Sequence, residues 1–385
     1  MKHPIELLEH YWGFSEFKPQ QEAIIEAVLA NDDCISLLPT GGGKSVCFQI
    51  PALIKDGICI VVSPLIALMQ DQVNTLKAKG IKAMALTSGF SYDDIDRMLD
   101  NCIYGNYKFL YLSPERLQQD LVQERIKQMN VNLIAVDEAH CISQWGHDFR
   151  PAYRDIKYLR TLHPTVNVIG LTASATSKVV YDICTQLDCI APQVLKTSFK
   201  RPNLAYLTLD CEDKYFKTVQ ILKKYSGPSI IYVRNRKATV EIANYLNKIG
   251  ITSGYYHGGL SPKEKDTQFD LWTTNQNQVM VATNAFGMGI DKANVQTVIH
   301  HNLPESLESY YQEAGRAGRN NENAYAVILR NTSDETDSKN QYINALPEID
   351  YLKTIYKRLC NYFQISYGEG VNAVHSFNFK LFCSS

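Results

Sequence analysis

The chain has 385 residues, of which 45% are hydrophobic and 21% charged, and its net charge is −1. That composition is ordinary for a folded globular protein of two or three domains, and it excludes any case for nucleic-acid binding made from bulk charge, leaving only local sites to argue from. No apolar run reaches the roughly 18 residues of a membrane span, and the N-terminus, MKHPIELLEHYWGF, carries acids and a Trp where a secretory signal needs a smooth apolar stretch, so an intracellular protein is expected.

Short apolar runs alternate with helix-length amphipathic stretches. The predicted strands of the first half are 34–38, 58–63, 82–86, 108–112, 133–137 and 166–171, with predicted helices at 66–79, 92–102 and 151–162. This βα order with continuously apolar strands predicts a parallel sheet covered on both faces. A second alternation follows, with strands at 204–209, 229–233, 252–256, 278–283, 295–300 and 324–329. SFKRPN (198–203) between them reads as a linker, its Pro stopping continuation. The expected division is 1–203, 204–335 and 336–385. In the last part, 349–363 is helical by pattern and SFNFKLF (376–382) alternates like a strand. The chain stops without a polar tail, and it is expected to end inside a third module. Ten scattered cysteines form no C-x-x-C pair. Cys34 and Cys59 sit in apolar runs and read as small hydrophobes, so neither a disulfide framework nor a zinc site is expected.

LPTGGGKS (38–45) follows a strand and opens a helical stretch, the context of a phosphate-binding loop. Thr40, Gly41, Gly42 and Gly43 are small enough for backbone N–H groups to wrap phosphates. Lys44 can reach the β and γ phosphates and the Ser45 hydroxyl can ligate Mg²⁺. The strict pattern wants Gly where Leu38 stands, so this is a variant; a Gly-rich turn that happens to end in Lys-Ser is the plain alternative. IAVDEAH (134–140) brings a central strand to Asp137 and Glu138 at its C-terminal edge, where doubly wound folds bind ligands. Asp137 suits Mg²⁺, Glu138 suits deprotonation of an attacking water, and His140 could couple the site to its surroundings. QEAGRAGR (312–319) places Arg316 and Arg319 three apart, able to point the same way on a helical turn and suited to charge on a transferring phosphoryl group. ATNAFGMGIDK (282–292) adds Gly287 for close backbone approach and Asp291 as an acceptor.

In order, the motifs FKPQQEAI (17–24), LPTGGGKS, VVSPLIALMQDQ (61–72), YLSPERL (111–117), VDEAHCISQWGHDFRP (136–151), GLTASAT (170–176), IIYVRNR (230–236), VATNAFGMGIDK (281–292) and QEAGRAGR resemble superfamily 2 helicases and, more narrowly, the RecQ family. The run HCISQWGHDFRP is the most specific part. The resemblance implies two tandem RecA-like domains with an ATP cleft between them. It implies adenine reading by Gln21 with Phe17 and Lys18, although the family usually has Gly where this chain has Gln20. Arg319 would be the arginine finger and Arg316 its support, while Thr172, Ser174 and Gln312 would link nucleotide state to DNA contacts. The aromatic loop offers Trp145, His147, Phe149 and Arg150 to unpaired bases and phosphate, with further phosphate contacts from Ser63, Arg116 and Arg234. Implied partners are single-stranded and 3′-tailed duplex DNA. A monomer is expected, nucleoid-associated in a bacterium or otherwise nuclear. Family members usually carry a four-cysteine zinc module after the second domain; here only Cys360 and Cys383 follow residue 330, and four thiolates cannot be assembled from two. The expected activity is therefore an ATP-dependent 3′-to-5′ DNA helicase in repair or recombination. A nucleic-acid-stimulated ATPase that translocates without unwinding, and a nucleotide-binding scaffold without turnover, stand as alternatives.

Overall fold

The computed structural model describes residues 3–39, 41–87, 89–146, 148–287, 292–366, 369–370 and 373–384. Thr40, His147 and Asp291 lie outside the described residues.

Thirteen strands form among these residues: β1 (Cys34–Leu37), β2 (Ile58–Val62), β3 (Ala83–Leu86), β4 (Phe109–Leu112), β5 (Val131–Val136), β6 (Val168–Thr172), β7 (Gln193–Lys196), β8 (Leu204–Asp210), β9 (Ser229–Tyr232), β10 (Ser253–Tyr256), β11 (Val279–Ala282), β12 (Thr297–His300) and β13 (Ala324–Arg330). Two sheets result, ordered β3-β4-β2-β5-β6-β1-β7 and β10-β11-β9-β12-β13-β8. From β3 to β7 in the first sheet and from β10 to β13 in the second, neighbours run parallel. Both faces of the first sheet are buried, as its continuous apolar strands require. Ile58, Ile60 and Val62 of β2 enter one core; Cys59 and Val61 enter the opposite one. Cys34 and Cys59 are buried, and burial pushes the Cys34 thiol up to about 12.

Helices start where the sequence supplies caps. Ser91, Thr176, Asp213, Asn235 and Ser306 each accept a backbone N–H in the first turn, and Ser261 with Glu264 completes a capping box. At the base of the first sheet Asp33 binds Arg160 through both oxygens, at 2.9 and 2.6 Å. Asp33 also accepts from Val168 N and Ile190 N. This buried network ties the start of β1 to β6 and to the segment before β7.

Three expectations change. The stretch 151–162 is not one helix: Pro151–Ile156 is a 3-10 turn and Lys157–Leu162 an α-helix, because the tight turn buries Tyr153 with its hydroxyl on Asp137 O at 3.0 Å. Strand β7 was invisible in the sequence: it is an edge strand on β1, mostly exposed, with no apolar run to mark it. The stretch 376–382 is not a strand. Phe379–Ser384 is a short helix, and after Arg330 no strand occurs among the described residues to pair with it.

The chain forms two compact units, Met1–Leu329 and Arg330–Ser385. The first holds both sheets, so the expected boundary at 203/204 falls inside it. The second contains helices Ser333–Tyr342 and Ile349–Phe363, with Tyr362 packed edge-on against Phe363, Phe377 and Phe382.

Candidate nucleotide site and nucleic-acid interface

Strand order explains the site. The segments after β1, β6, β5 and β2 leave four adjacent strands at one edge of the first sheet. Register aligns them: Leu37 lies beside Thr172, and Val62 beside Val136. Leu38 continues the strand, donating its N–H to Thr172 O at 3.1 Å, and its side chain is buried in the core. The departure from Gly there therefore leaves the loop undisturbed. Gly41 and Gly43 take left-handed φ of 78° and 75°, and a Cβ on Gly42 would sit 2.8 Å from Pro39 O. Helix Lys44–Ile54 then begins with no side-chain cap, so its first N–H groups remain available to an anion.

Asp137 and Glu138 leave β5 together. Asp137 is buried, accepts from Ser63 Oγ at 3.5 Å, and is pushed up to about 6, first by burial and then by the neighbouring Glu138 charge. Glu138 holds a left-handed φ of 47°, uncommon for a non-glycine residue. Its carboxylate lies between Lys44 Nζ at 3.3 Å and His140 Nδ1 at 3.4 Å. His140 Nδ1 is also 2.9 Å from Thr172 Oγ1. That hydroxyl donates to Ser174 O at 3.1 Å and accepts from Ser174 N at 3.3 Å. With the Thr172 proton on Ser174 O, the His140 nitrogen facing it is placed to donate, and the same nitrogen faces the Glu138 carboxylate. An unbroken polar line thus runs from Lys44 through Glu138, His140 and Thr172 to Ser174.

The FKPQQ segment folds onto the same loop. Lys18 Nζ donates to Gly41 O at 2.8 Å. Gln21 accepts from Lys18 N at 2.9 Å, and its Nε2 donates to Gly43 O at 3.1 Å and Gly42 O at 3.3 Å. In this conformation the Gln21 amide is spent on the loop, and an incoming base would have to exchange one of these bonds. Phe17 is half-buried against the cluster of Leu7, Leu8, Ile25, Val46 and Ile50. Gln20 adopts φ 68°, the conformation a Gly would supply, so the turn is kept at a conformational cost.

Arg316 and Arg319 do not share a helical face. Helix Leu307–Ala314 ends before them and they lie in the turn that follows. Arg316 is buried beside Tyr232 and Gly287. Arg319 reaches the other way: a Cβ on Gly41 would meet its Cγ at 3.4 Å. The two halves therefore meet where the loop and Arg319 face each other. Gln312 lies near the end of helix Leu307–Ala314, just before that turn.

The proposed DNA contacts divide. Trp145 is 64% exposed, with Lys178 Nζ 3.0 Å from the ring centroid. Phe149 is half-buried, with the Arg154 guanidinium 5.2 Å from its ring. Arg150 is turned inward, donating to Pro64 O at 3.0 Å and to Asp148 at 3.2 and 3.3 Å, so it braces the loop. Ser63, expected on phosphate, is buried against Asp137. Arg116 is half-buried and bonded to Thr87 O and Gln119. Arg234 is half-buried, its N–H on Asn302 Oδ1 at 3.1 Å. Sequence reasoning missed Tyr153 on the Asp137 carbonyl, Asp182, whose carboxylate accepts from Ser143 Oγ at 2.6 Å beneath the loop, and a cleft of about 490 Å³ lined by Trp145, Ser174, Phe199, Leu307 and Tyr311. The Trp-Gly and Thr-Ala-Ser runs were the available signals for the cleft, but its far wall comes from residues more than fifty positions away.

The family profiles match this division. The DEAD/DEAH box helicase profile covers residues 18–183 and the helicase conserved C-terminal domain covers 213–321. The chain is 43% identical over 331 residues to the ATP-dependent DNA helicase RecQ of Bacillus subtilis, covering 85% of this chain and 56% of that one. It is 38% identical over 343 residues to the ATP-dependent DNA helicase Q1 of Mus musculus, covering 86% and 53%. A putative ATP-dependent RNA helicase of Acanthamoeba polyphaga mimivirus is 41% identical over 333 residues, covering 85% and 60%. The chain spans about half to two thirds of the length of these curated relatives. Among solved structures, the DUF1998 helicase MrfA bound to DNA superposes with TM-score 0.73 at 17% identity, covering 90% of this chain and 54% of that one. Mycobacterium smegmatis Lhr bound to single-stranded DNA and AMP-PNP gives 0.67 at 20%, covering 83% and 46%. The fold is thus two RecA-like domains, and the chain belongs to the RecQ family of DEAD/DEAH-box helicases.

Proposed function

We propose that the chain is the ATP-hydrolysing motor of a 3′-to-5′ DNA helicase, with Glu138 as general base, Lys44 on the β and γ phosphates and Arg319 as the finger. The observation that carries this reading is the continuous line Lys44–Glu138–His140–Thr172–Ser174, with Arg319 lying against Gly41 from the other half. Lys44 and Glu138 pair with each other. A triphosphate competes for Lys44 and releases the Glu138 carboxylate to take a proton from the attacking water. A carboxyl as deeply buried as Asp137, with a second carboxylate beside it and a raised pKa, fits a divalent cation, and Asp137 with Ser45 would hold Mg²⁺ to shield the phosphate oxygens.

DNA enters the account through the loop after the DEAH box. The exposed Trp145 ring offers a stacking face, and the loop begins three residues after His140, so a base stacked there would bias the same polar line. The DNA helicase reading follows the relatives' names, while 3′-to-5′ direction and a part in repair follow the family resemblance. The RNA assignment of one relative is outweighed by the DNA helicases among the others. The alternative reading is DNA-stimulated translocation without strand separation.

ATP turnover without nucleic acid, with single-stranded DNA and with RNA, together with strand separation on a 3′-tailed duplex, decides among these. Stimulation by DNA with unwinding supports the helicase reading, DNA stimulation without unwinding supports translocation alone, and no turnover at all refutes both.

A further inference from the structure

The segment 198–203, a plain linker by composition, is bonded to the arginine turn. Arg201 donates Nη1 to Gly315 O at 3.3 Å, and Nη2 to Ala317 O at 3.0 Å and Gly318 O at 2.6 Å. Asn203 Nδ2 donates to Gly318 O and Glu322 O, both at 2.8 Å, and its own carbonyl accepts from Ala324 N at 2.8 Å. Upstream, Tyr311 donates its hydroxyl to Phe199 O at 3.1 Å, and the two rings meet edge to face at 5.8 Å.

These carbonyls follow the end of helix Leu307–Ala314, where helical bonding stops; Gly318 O also accepts from Asn321 N at 3.2 Å. A guanidinium is the one side chain that can satisfy several of them in one plane. The turn has no slack elsewhere. Gly318 holds φ 66°, and a Cβ there would lie 2.6 Å from Asn203 Nδ2 and 2.8 Å from the Ala324 Cβ. The next residue is Arg319, whose side chain runs along Gly41. The backbone that aims Arg319 is therefore held on its carbonyl side by the linker that joins the two sheets, and on its N–H side by Gly318 N on Val295 O at 2.8 Å and Asn320 N on Ala293 O at 3.1 Å.

We propose that Arg201, assisted by Asn203, is a positioning residue for ATP hydrolysis: it clamps the carbonyls of residues 315–318 so that Arg319 is presented to the phosphate loop. This rests on the reading of Arg319 as the finger. The bonds described for both residues run to the arginine turn, so the effect passes through the turn that carries Arg319. A Lys at 201 keeps the charge and the linker but offers one ammonium in place of a fork.

The test is single-turnover and steady-state ATP hydrolysis by the full chain with saturating single-stranded DNA, for Arg201→Lys, Arg319→Lys and the double variant, with melting temperatures of each. Arg201→Lys should lower kcat by about 10- to 100-fold, the order of loss for a reacting group displaced by an ångström. Its KM for ATP and melting temperature should stay near wild type, and the double variant should be no slower than Arg319→Lys. A wild-type kcat in Arg201→Lys overturns the proposal, and so do losses that multiply in the double variant, since a merely structural role acts independently of Arg319. Wild-type turnover in Arg319→Lys instead removes the finger reading itself. Should Arg201→Lys fail to fold, Asn203→Ala takes its place: it strips one bond from Gly318 O and must show the same KM-neutral, non-multiplying loss, or the proposal falls.

Discussion

Two stretches separated by a few residues behave in opposite ways. Asp137, Glu138 and His140 are bonded into place by the protein's own side chains: Asp137 to Ser63, Glu138 to Lys44, His140 to Thr172. Trp145, five residues beyond His140, projects into solvent on a loop tied down behind it by Asp182 and Arg150. The difference follows from the work each would do. Transition-state stabilisation needs dipoles fixed in advance, because reorganisation subtracts from the gain. Tracking along a strand needs a surface that accepts any base and lets it go, which an exposed ring on a braced loop provides.

Variants at the fixed edge should show the largest effects. Glu138→Gln preserves shape but not basicity, and kcat should fall by about 10²–10⁴-fold with nucleotide binding retained. Lys44→Ala should abolish turnover within detection, and normal turnover would remove the phosphate-loop assignment. Next comes the frame beneath the site. Asp33→Ala leaves Arg160 buried without its partner and should lower unfolding free energy by about 3–5 kcal/mol in denaturant titration; a loss under about 1 kcal/mol would mean that the network relaxes. Trp145→Ala should spare basal hydrolysis and weaken single-stranded DNA binding by about 1–3 kcal/mol, the worth of one stacked base; stimulation equal to wild type would erase the contrast drawn above. The smallest effect concerns the cation over that ring. Lys178→Ala removes a contact of about 0.5–1 kcal/mol and should tighten DNA binding several-fold at most, because a base no longer displaces it. Weaker binding would show instead that Lys178 grips phosphate.

The regular parts of the fold were legible because parallel strands buried on both faces advertise themselves as apolar runs. The first sheet's β1 to β6 were all anticipated, each within two residues at its ends. Strand β7 was not, since an edge strand reading Gln-Val-Leu-Lys has no apolar signature. The stretch 376–382 alternated like a strand, but after Arg330 no strand occurs among the described residues to pair with it, and Phe379–Ser384 folds as a helix with Phe382 against Tyr362. At the site, the motifs named Lys44, Asp137, Glu138 and Arg319 but could not tell which way polar groups turn. Ser63 and Arg150 carry the right chemistry for phosphate, yet face inward to Asp137 and Asp148. Spacing alone put Arg316 with Arg319, whereas the chain breaks out of the helix between Ala314 and Arg316 and sends them to opposite partners. The linker was hardest to read: Arg201 and Asn203 are ordinary polar residues until the fold brings residues 315–322 against them.

The most direct measurement is ATP hydrolysis by this chain as single-stranded DNA is titrated in, compared with RNA of the same length and composition. The account predicts strong, saturable stimulation by DNA, weaker stimulation by RNA, and its loss in Trp145→Ala. Turnover that ignores nucleic acid, or that responds to RNA above DNA, would contradict it.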